Sequence, residues 1–509
     1  MAKALIQIAV KAQKGDCFKT AGDLLAVGVY SDSPAGSLVK TLDHQLNGKI
    51  SELKRLGDFE GKVNTSCLLY AQGGISTKRI LLVGFGDRKT LKPDVLRKAV
   101  AQAMSKAVDL KAKSVLLSLH GDIPASAKLD MAAVGQMITE AACFGAYRYD
   151  EFVTEKSKRP ASVKAILVDP DAKKITLLKK GISTGMISGG AQNYARTIAN
   201  RPANVINPVT LAAEAKKLAA ATPGLRCTVL DKKQLEKEGM GGILAVGQGS
   251  ATPPRLIVLQ YVPAGASKNA KTVGLVGKAV TFDSGGISIK SGEGMHDMKF
   301  DKSGGIAVLG AMKAIAQLKP KCRVYGFIPS AENMPGTGSY RPGDIITTFS
   351  GKTVEIQNTD AEGRMLLCDA IAYAEKLGCS TIVDIATLTG ACVVALGQKR
   401  AGVMSNDDML VEQLKAASAK TGERLWHLPC DDEFVEAMKS KIADLKNIGG
   451  KWGGACTAAA FLSQFVQKAK WAHVDMAGVG VWGAGEKDAP GSIGFGVRLL
   501  TEFVLNHQK

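Results

Sequence analysis

The stretch GLVGKAVTFDSGGISIK, residues 274–290, begins as a strand and ends as a glycine turn beside an acid. Its first residues carry no charge before Lys278, which predicts a strand covered on both faces, the kind that parallel sheets bury. Asp283 comes next, followed at once by Ser284, Gly285 and Gly286. An acid with glycines at the carboxyl end of a parallel strand marks the place where α/β sheets hold their ligands.

Strands of the same type recur outward in both directions, at residues 79–86 (RILLVGFG), 114–119, 164–169, 255–262, 323–330 and 380–388. Amphipathic helical stretches lie between several of them, at 92–111, 303–318 and 362–377. That alternation predicts an α/β protein with mainly parallel sheets. At 509 residues the chain exceeds one ordinary core, so more than one domain is expected. The boundary falls near residues 181–208, where glycine and serine precede a helical stretch that breaks at Pro202 and Pro208. Residues 1–180 then form one α/β domain, 181–200 a linker helix, and 201–509 a second, larger domain.

Composition narrows the function. Hydrophobic residues at 46% and charged residues at 22% describe a globular chain. The ten cysteines are scattered without a CxxC pair, as expected of reduced thiols in a cytoplasmic protein. Residues 1–10 read as a short alternating strand rather than a signal or transit peptide, and no apolar run reaches the ~20 residues that span a membrane. The net charge of +19 raises the question of nucleic acid. Short lysine clusters (Lys156, Lys158 and Arg159; Lys173 and Lys174; Lys179 and Lys180; Lys232 and Lys233) read as a solvated face. No zinc-finger spacing, RNP-like motif or long basic helix supports nucleic-acid binding, which stays open as a second role.

Familiar catalytic motifs are missing. None of the six histidines lies in HExxH, and there is no GxSxG. Gly84 and Gly86 open like a dinucleotide fingerprint, but Lys89 stands where the third glycine belongs; Gly277–Lys278 is followed by Ala279 instead of the Ser or Thr of a phosphate loop. What remains is a set of carboxylates and lysines on three segments. Asp283 and Lys290 lie on the first. Asp301, followed by Gly304 and Gly305 and an apolar helix, is the second. The third is NTDAEGR, residues 358–364, after the strand-like 353–356; in an extended turn Asp360 and Glu362 project to the same side. Singly, each has a plain structural reading: Asp301 as a helix N-cap, Glu362 as a first-turn acid, Asp283 as a turn residue, Lys290 as a surface lysine. Together, four carboxylates near strand ends would repel each other if left unpaired, and divalent cations are the ordinary remedy, so a metal site and the plain readings both stay open on the residues alone.

NTDAEGR resembles the signature of the leucyl (cytosol) aminopeptidases. The likeness continues in GK-x-x-TFDSGGISIK (277–290), MKFD (298–301), ATLTGA (386–391), AHVDMAG (472–478), NRPAN (200–204) and KNIGG…GACTAAAFL (446–462), in order, over about residues 185–505. Before residue 180 only RILLVGFG stands out. The resemblance implies an N-terminal α/β domain like macro domains, followed by a larger α/β catalytic domain with a central mixed, mostly parallel sheet. It implies a metal-dependent aminopeptidase that releases N-terminal residues from peptides, leucine and other apolar residues before charged ones.

By the same resemblance, Lys278, Asp283, Asp301 and Glu362 hold one ion and Asp283, Asp360 and Glu362 the other, at the ~3.5–4 Å separation of two-metal hydrolases. Zinc or manganese stands ahead of cobalt or magnesium. The implied mechanism has a metal-activated water attack the first peptide carbonyl, with Lys290 facing the oxyanion and Arg364 holding a bicarbonate as general base. Met298, Thr387, Gly390 and Ala477 would line the pocket for the first side chain, and the chain would assemble as a homohexamer. The sequence departs from the family pattern at His296, where an acid is common, at Lys302, where Met is common, and at Gly480, where a bulkier residue is usual. A competing reading is a metal-dependent amide hydrolase acting on non-peptide substrates.

Overall fold

The computed structural model describes residues 6–32, 36–71, 74–121, 123–124, 129–155, 159–265, 271–480 and 491–507. The chain divides into two compact units, Met1–Asn193 and Tyr194–Lys509. In the first, a six-stranded sheet runs in the order Gln7–Lys14, Ser162–Asp169, Ser114–Ser118, Leu24–Tyr30, Arg79–Gly86, Ser66–Tyr70. Neighbours are parallel except the edge strand Ser66–Tyr70. Every residue of Leu24–Tyr30 is buried, which explains its unbroken apolar run. Two separate apolar clusters cover the two faces, one carrying helices Pro93–Asp109 and Met131–Ala146, the other Ser37–Gln45 and Lys49–Leu56. Of the strand expected over 1–10, residues 1–5 lie outside the described residues, as do Lys156 and Lys158 of the first lysine cluster; the observed strand starts at Gln7.

One continuous helix covers Ala172–Asn200, passing through Gly181 without a break. The glycine serves packing instead. A Cβ on Gly181 would meet Ala132 O at 1.8 Å, one on Gly185 would meet Gln136 O at 2.7 Å, and one on Gly135 of the facing helix Met131–Ala146 would meet Leu178 O at 2.4 Å. Close backbone approach between the two helices outweighs the ~1 kcal/mol that a mid-helix glycine costs.

The second unit holds a nine-stranded sheet. Its path runs Leu425–His427, Ala401–Ser405, Lys470–Asp475, Thr381–Ala386, Thr272–Gly277, Arg323–Asn333, Arg255–Tyr261, Leu225–Leu230. The four middle strands are mutually parallel, while Ala401–Ser405 and the two strands from Arg255 outward pair antiparallel. The stretch 274–290 does not end its pairing at Lys278. Arg323–Asn333 is long enough to pair twice: residues 323–327 with 272–276, then residues 330–333 with the short strand Ala279–Asp283. Lys278 sits in the break between them, its N–H donated to Ile385 O at 3.2 Å and its carbonyl accepting from Gly305 N at 2.6 Å. The strand expected at 353–356 is Thr353–Glu355, and it belongs to a separate three-stranded sheet with Ile345–Thr347 and Leu445–Lys446.

Candidate active site

Four segments converge at the carboxyl ends of the middle strands. Lys278 comes from the break just described, and Asp283 closes the strand after it, directly beside Asn333 in register. Asp301 follows the short 3-10 helix Met295–Phe300. Lys302, not Asp301, is the N-cap of helix Ser303–Leu318, so the capping reading of Asp301 fails: its carboxylate turns to Lys278 and Thr387 instead. Glu362 is the first residue of helix Glu362–Lys376, and it also reaches the cluster.

Lys278 Nζ lies 2.9 Å from Asp301 Oδ1, 2.7 Å from Glu362 Oε1 and 2.9 Å from Thr387 O. Lys278, Asp283, Asp301 and Glu362 are all buried. Oxygens of Asp283, Asp301 and Glu362 all come within 4.8 Å of one another, and among the described residues no other trio of His, Cys, Asp or Glu does so. Asp360 stands on the open side, its side chain 32% exposed, and is joined to Asp283 by Lys290, whose Nζ contacts Asp360 Oδ1 and lies 2.8 Å from Asp283 Oδ2. The turn is not extended throughout: Ala361 is the N-cap and Glu362 the first residue of helix Glu362–Lys376, so Glu362 is buried while Asp360 stays partly exposed. Lys290, 24% exposed, is no free surface lysine.

Burial first, and then the crowded charges, shift the titration of these groups. Burial, then the nearby Asp283 carboxylate, pushes Glu362 up to about 8. Burial also raises Asp301 and Asp360. For Lys278 burial works against the ammonium, yet Asp301, Glu362 and Asp283 together outweigh it and raise its pKa; Lys290 is raised in the same way by Asp283 and Glu362. Asp301 Oδ2 is buried with no hydrogen-bond partner. An oxygen left open in a pocket of crowded carboxylates fits a cation donor set.

The remaining expected residues are placed unequally. Thr387 joins the cluster directly, donating Oγ1 to Asp301 Oδ1 at 2.7 Å. Met298 O accepts from Asp301 N at 3.2 Å. Gly390 opens helix Gly390–Leu396 and is exposed. Ala477 N donates to Asp475 Oδ1 at 3.1 Å, and Asp475 Oδ2 accepts from Thr389 Oγ1 at 2.6 Å, so this buried acid ties the turn before Gly390 to the one carrying Ala477. Gly480 lies beside Thr387: a Cβ there would stand 3.1 Å from its Cγ2. Arg364 is buried, donates Nη1 to Asn447 O at 2.7 Å, keeps Nε without a hydrogen-bond partner, and is pushed down by burial to about 10. His296 points outward, its side chain 79% exposed. Lys302 is fully buried, donates to Arg201 O at 2.9 Å and to Lys299 O, and is lowered by burial to about 7.

Sequence reading passed over Asn333 and Asp475. Asn333 Nδ2 donates to Asp283 Oδ1 at 2.8 Å and to Thr359 O at 3.0 Å. Both residues end a middle strand, the same signal that singled out Asp283.

A buried lysine among convergent carboxylates on an α/β sheet fits a metal-dependent hydrolase. The cytosol aminopeptidase family's catalytic domain matches residues 193–501 and its N-terminal domain residues 26–156. A probable cytosol aminopeptidase of Aquifex aeolicus is 42% identical, covering 98% of each chain. The cytosol aminopeptidase of Pseudomonas aeruginosa is 41% identical, covering 99% of this chain and all of its own. Among solved structures, a mutant of tomato leucine aminopeptidase superposes with a TM-score of 0.88 at 32% identity, covering 98% of this chain and 97% of its own. The bottromycin maturation enzyme in complex with Mn gives 0.82 at 32% identity, covering 96% and 100%. The chain belongs to the cytosol aminopeptidase family, and it is a metal-dependent aminopeptidase.

Proposed function

We propose that the protein removes leucine and other apolar residues from peptide N-termini with two divalent ions, zinc or manganese before cobalt or magnesium. The observation that carries the reading is the buried, unpartnered Asp301 Oδ2 among the carboxylates of Asp283 and Glu362. Lys278, as the neutral amine that a dication beside it favours, would join Asp283, Asp301 and Glu362 as donors for one ion; Asp283, Asp360 and Glu362 would hold the other. Such ions acidify a bound water and polarise a peptide carbonyl.

The chain's own residues supply the rest. Lys290, partly buried and held charged by Asp283 and Glu362, presents an ammonium to the oxyanion of the attacked carbonyl. Arg364 offers an unused buried Nε to an anion, and bicarbonate there would serve as general base. Met298, Thr387, Gly390 and Ala477 would border the first side chain, an apolar lining that favours Leu over charged residues. These roles belong to residues 201–509; residues 1–180 would be a separate domain, with 181–200 between them. Assembly as a homohexamer is checked by light scattering. The cytoplasmic assignment rests on the relatives' names and the ten unpaired cysteines.

The test is hydrolysis of a leucine chromogenic amide by chelator-stripped protein before and after adding manganese or zinc. Activity should return with metal, remain absent in Asp360→Ala, and be absent toward the N-acetylated amide. Folded protein that stays inactive with every divalent ion overturns the reading.

A further inference from the structure

Thr359 has every polar group committed. Its N–H donates to Ser288 Oγ at 3.1 Å, and its carbonyl accepts from Asn333 Nδ2 at 3.0 Å and Tyr340 Oη at 2.8 Å. Its Oγ1 donates to Gly285 O at 2.6 Å and accepts from Ser288 N at 2.8 Å. The residue is fully buried. Asp360 follows it in the chain, and the segment it grips, 285–288, ends two residues before Lys290. Gly285 and Gly286 take φ values of +87° and +65°, and a Cβ on Gly286 would stand 3.1 Å from Thr359 Oγ1. The loop is thus bent around the hydroxyl. Its far end is closed by Lys290 N donating to Ser284 O at 2.9 Å.

We infer that Thr359 is a positioning residue for Lys290: its hydroxyl, shared between Gly285 O and Ser288 N–H, sets where the ammonium stands between Asp283 and Asp360. This rests on the reading of Lys290 as the group that faces the oxyanion. Thr359 itself touches no substrate; it works by holding one loop against the turn that carries Asp360. Nothing else in the loop supplies both the acceptor for Ser288 N and the donor for Gly285 O, so a side chain of equal shape without the hydroxyl frees the segment leading to Lys290.

Thr359→Val keeps the branched shape and removes the hydroxyl; Thr359→Ser keeps the hydroxyl. In metal-loaded enzyme, Thr359→Val should lower kcat by about 10²-fold with KM changed less than about threefold and metal content equal to wild type. Thr359→Ser should stay within about threefold of wild type, and Lys290→Ala/Thr359→Val should be no slower than Lys290→Ala alone. Wild-type kcat in Thr359→Val, equal damage in Thr359→Ser, or losses that multiply in the double variant would each overturn the inference. If Thr359→Val does not fold, Thr359→Ala, which also removes the hydroxyl from Gly285 O and Ser288 N–H, carries the same cycle: a loss that vanishes in the Lys290→Ala background supports the inference, and one that persists there overturns it. Lys290→Ala with wild-type kcat is a separate outcome that removes the role of Lys290 first.

Discussion

Asp384 and His473 face each other on the adjacent parallel strands Thr381–Ala386 and Lys470–Asp475, with Oδ1 and Nδ1 2.5 Å apart and neither side chain exposed. Trp471 Nε1 donates to the other oxygen of Asp384 at 2.7 Å. Burial works against the imidazolium, but Asp384 and, less strongly, Asp475 raise the pKa of His473, with Arg364 as the opposing cation.

A histidine raised in the fold binds a proton that the unfolded chain releases. The pair therefore contributes its full stability below about pH 6.5, and that contribution is lost as pH rises through the folded value. His473→Gln should cost about 3 kcal/mol near pH 6 and clearly less near pH 9, measured by urea unfolding of both proteins. An equal cost at both would show a neutral imidazole in the fold.

Lys290→Ala tests the oxyanion role. Help concentrated in the transition state predicts a fall in kcat of about 10²–10³-fold with KM within about threefold of wild type. Steady-state kinetics on a leucine amide checks it; a rise in KM that accounts for the whole loss would assign the lysine to ground-state binding.

Gly480 does not take a positive φ, so a side chain there acts by its volume. A methyl at 3.1 Å from Thr387 Cγ2 and 3.3 Å from Met476 Cε crowds the proposed pocket. Gly480→Ala should lower kcat/KM for a leucine amide about tenfold relative to an alanine amide. The same change for both substrates would place Gly480 outside the pocket.

Gly181→Ala tests the helix pairing in the first unit. Its Cβ would lie 1.8 Å from Ala132 O, which forces two helix backbones apart. The loss should be about 2 kcal/mol, against the small gain that alanine brings to an ordinary helix, and thermal unfolding reads the sign.

Residues 274–290 disclosed the architecture because a strand buried on both faces has no polar alternation to hide behind, and Asp283 before two glycines marked its ligand end. The break at Lys278 was not legible: it arises because Arg323–Asn333 serves two short strands in turn, a tertiary fact. NTDAEGR drew attention to Asp360 and Glu362, but did not show that a helix starts at Glu362, which is buried in the cluster while Asp360 stays partly exposed. Gly181 read as a boundary because glycine usually breaks helices; here a facing backbone occupies the space a side chain would need. Asn333 and Asp475 were passed over because an amide or acid at a strand end is informative only once the neighbouring strands are known.

The strand order also sets when the enzyme comes into being. Strand Thr272–Gly277, which leads to Lys278, lies between Arg323–Asn333 and Thr381–Ala386, both synthesised after it. At ribosomal speeds of about 5–20 residues per second, several seconds separate Lys278 from the partner strands that hold it. A chain still on the ribosome thus carries Lys278 and Asp283 before the strands that fix them exist, and the cluster can close only after Thr381–Ala386 has been made.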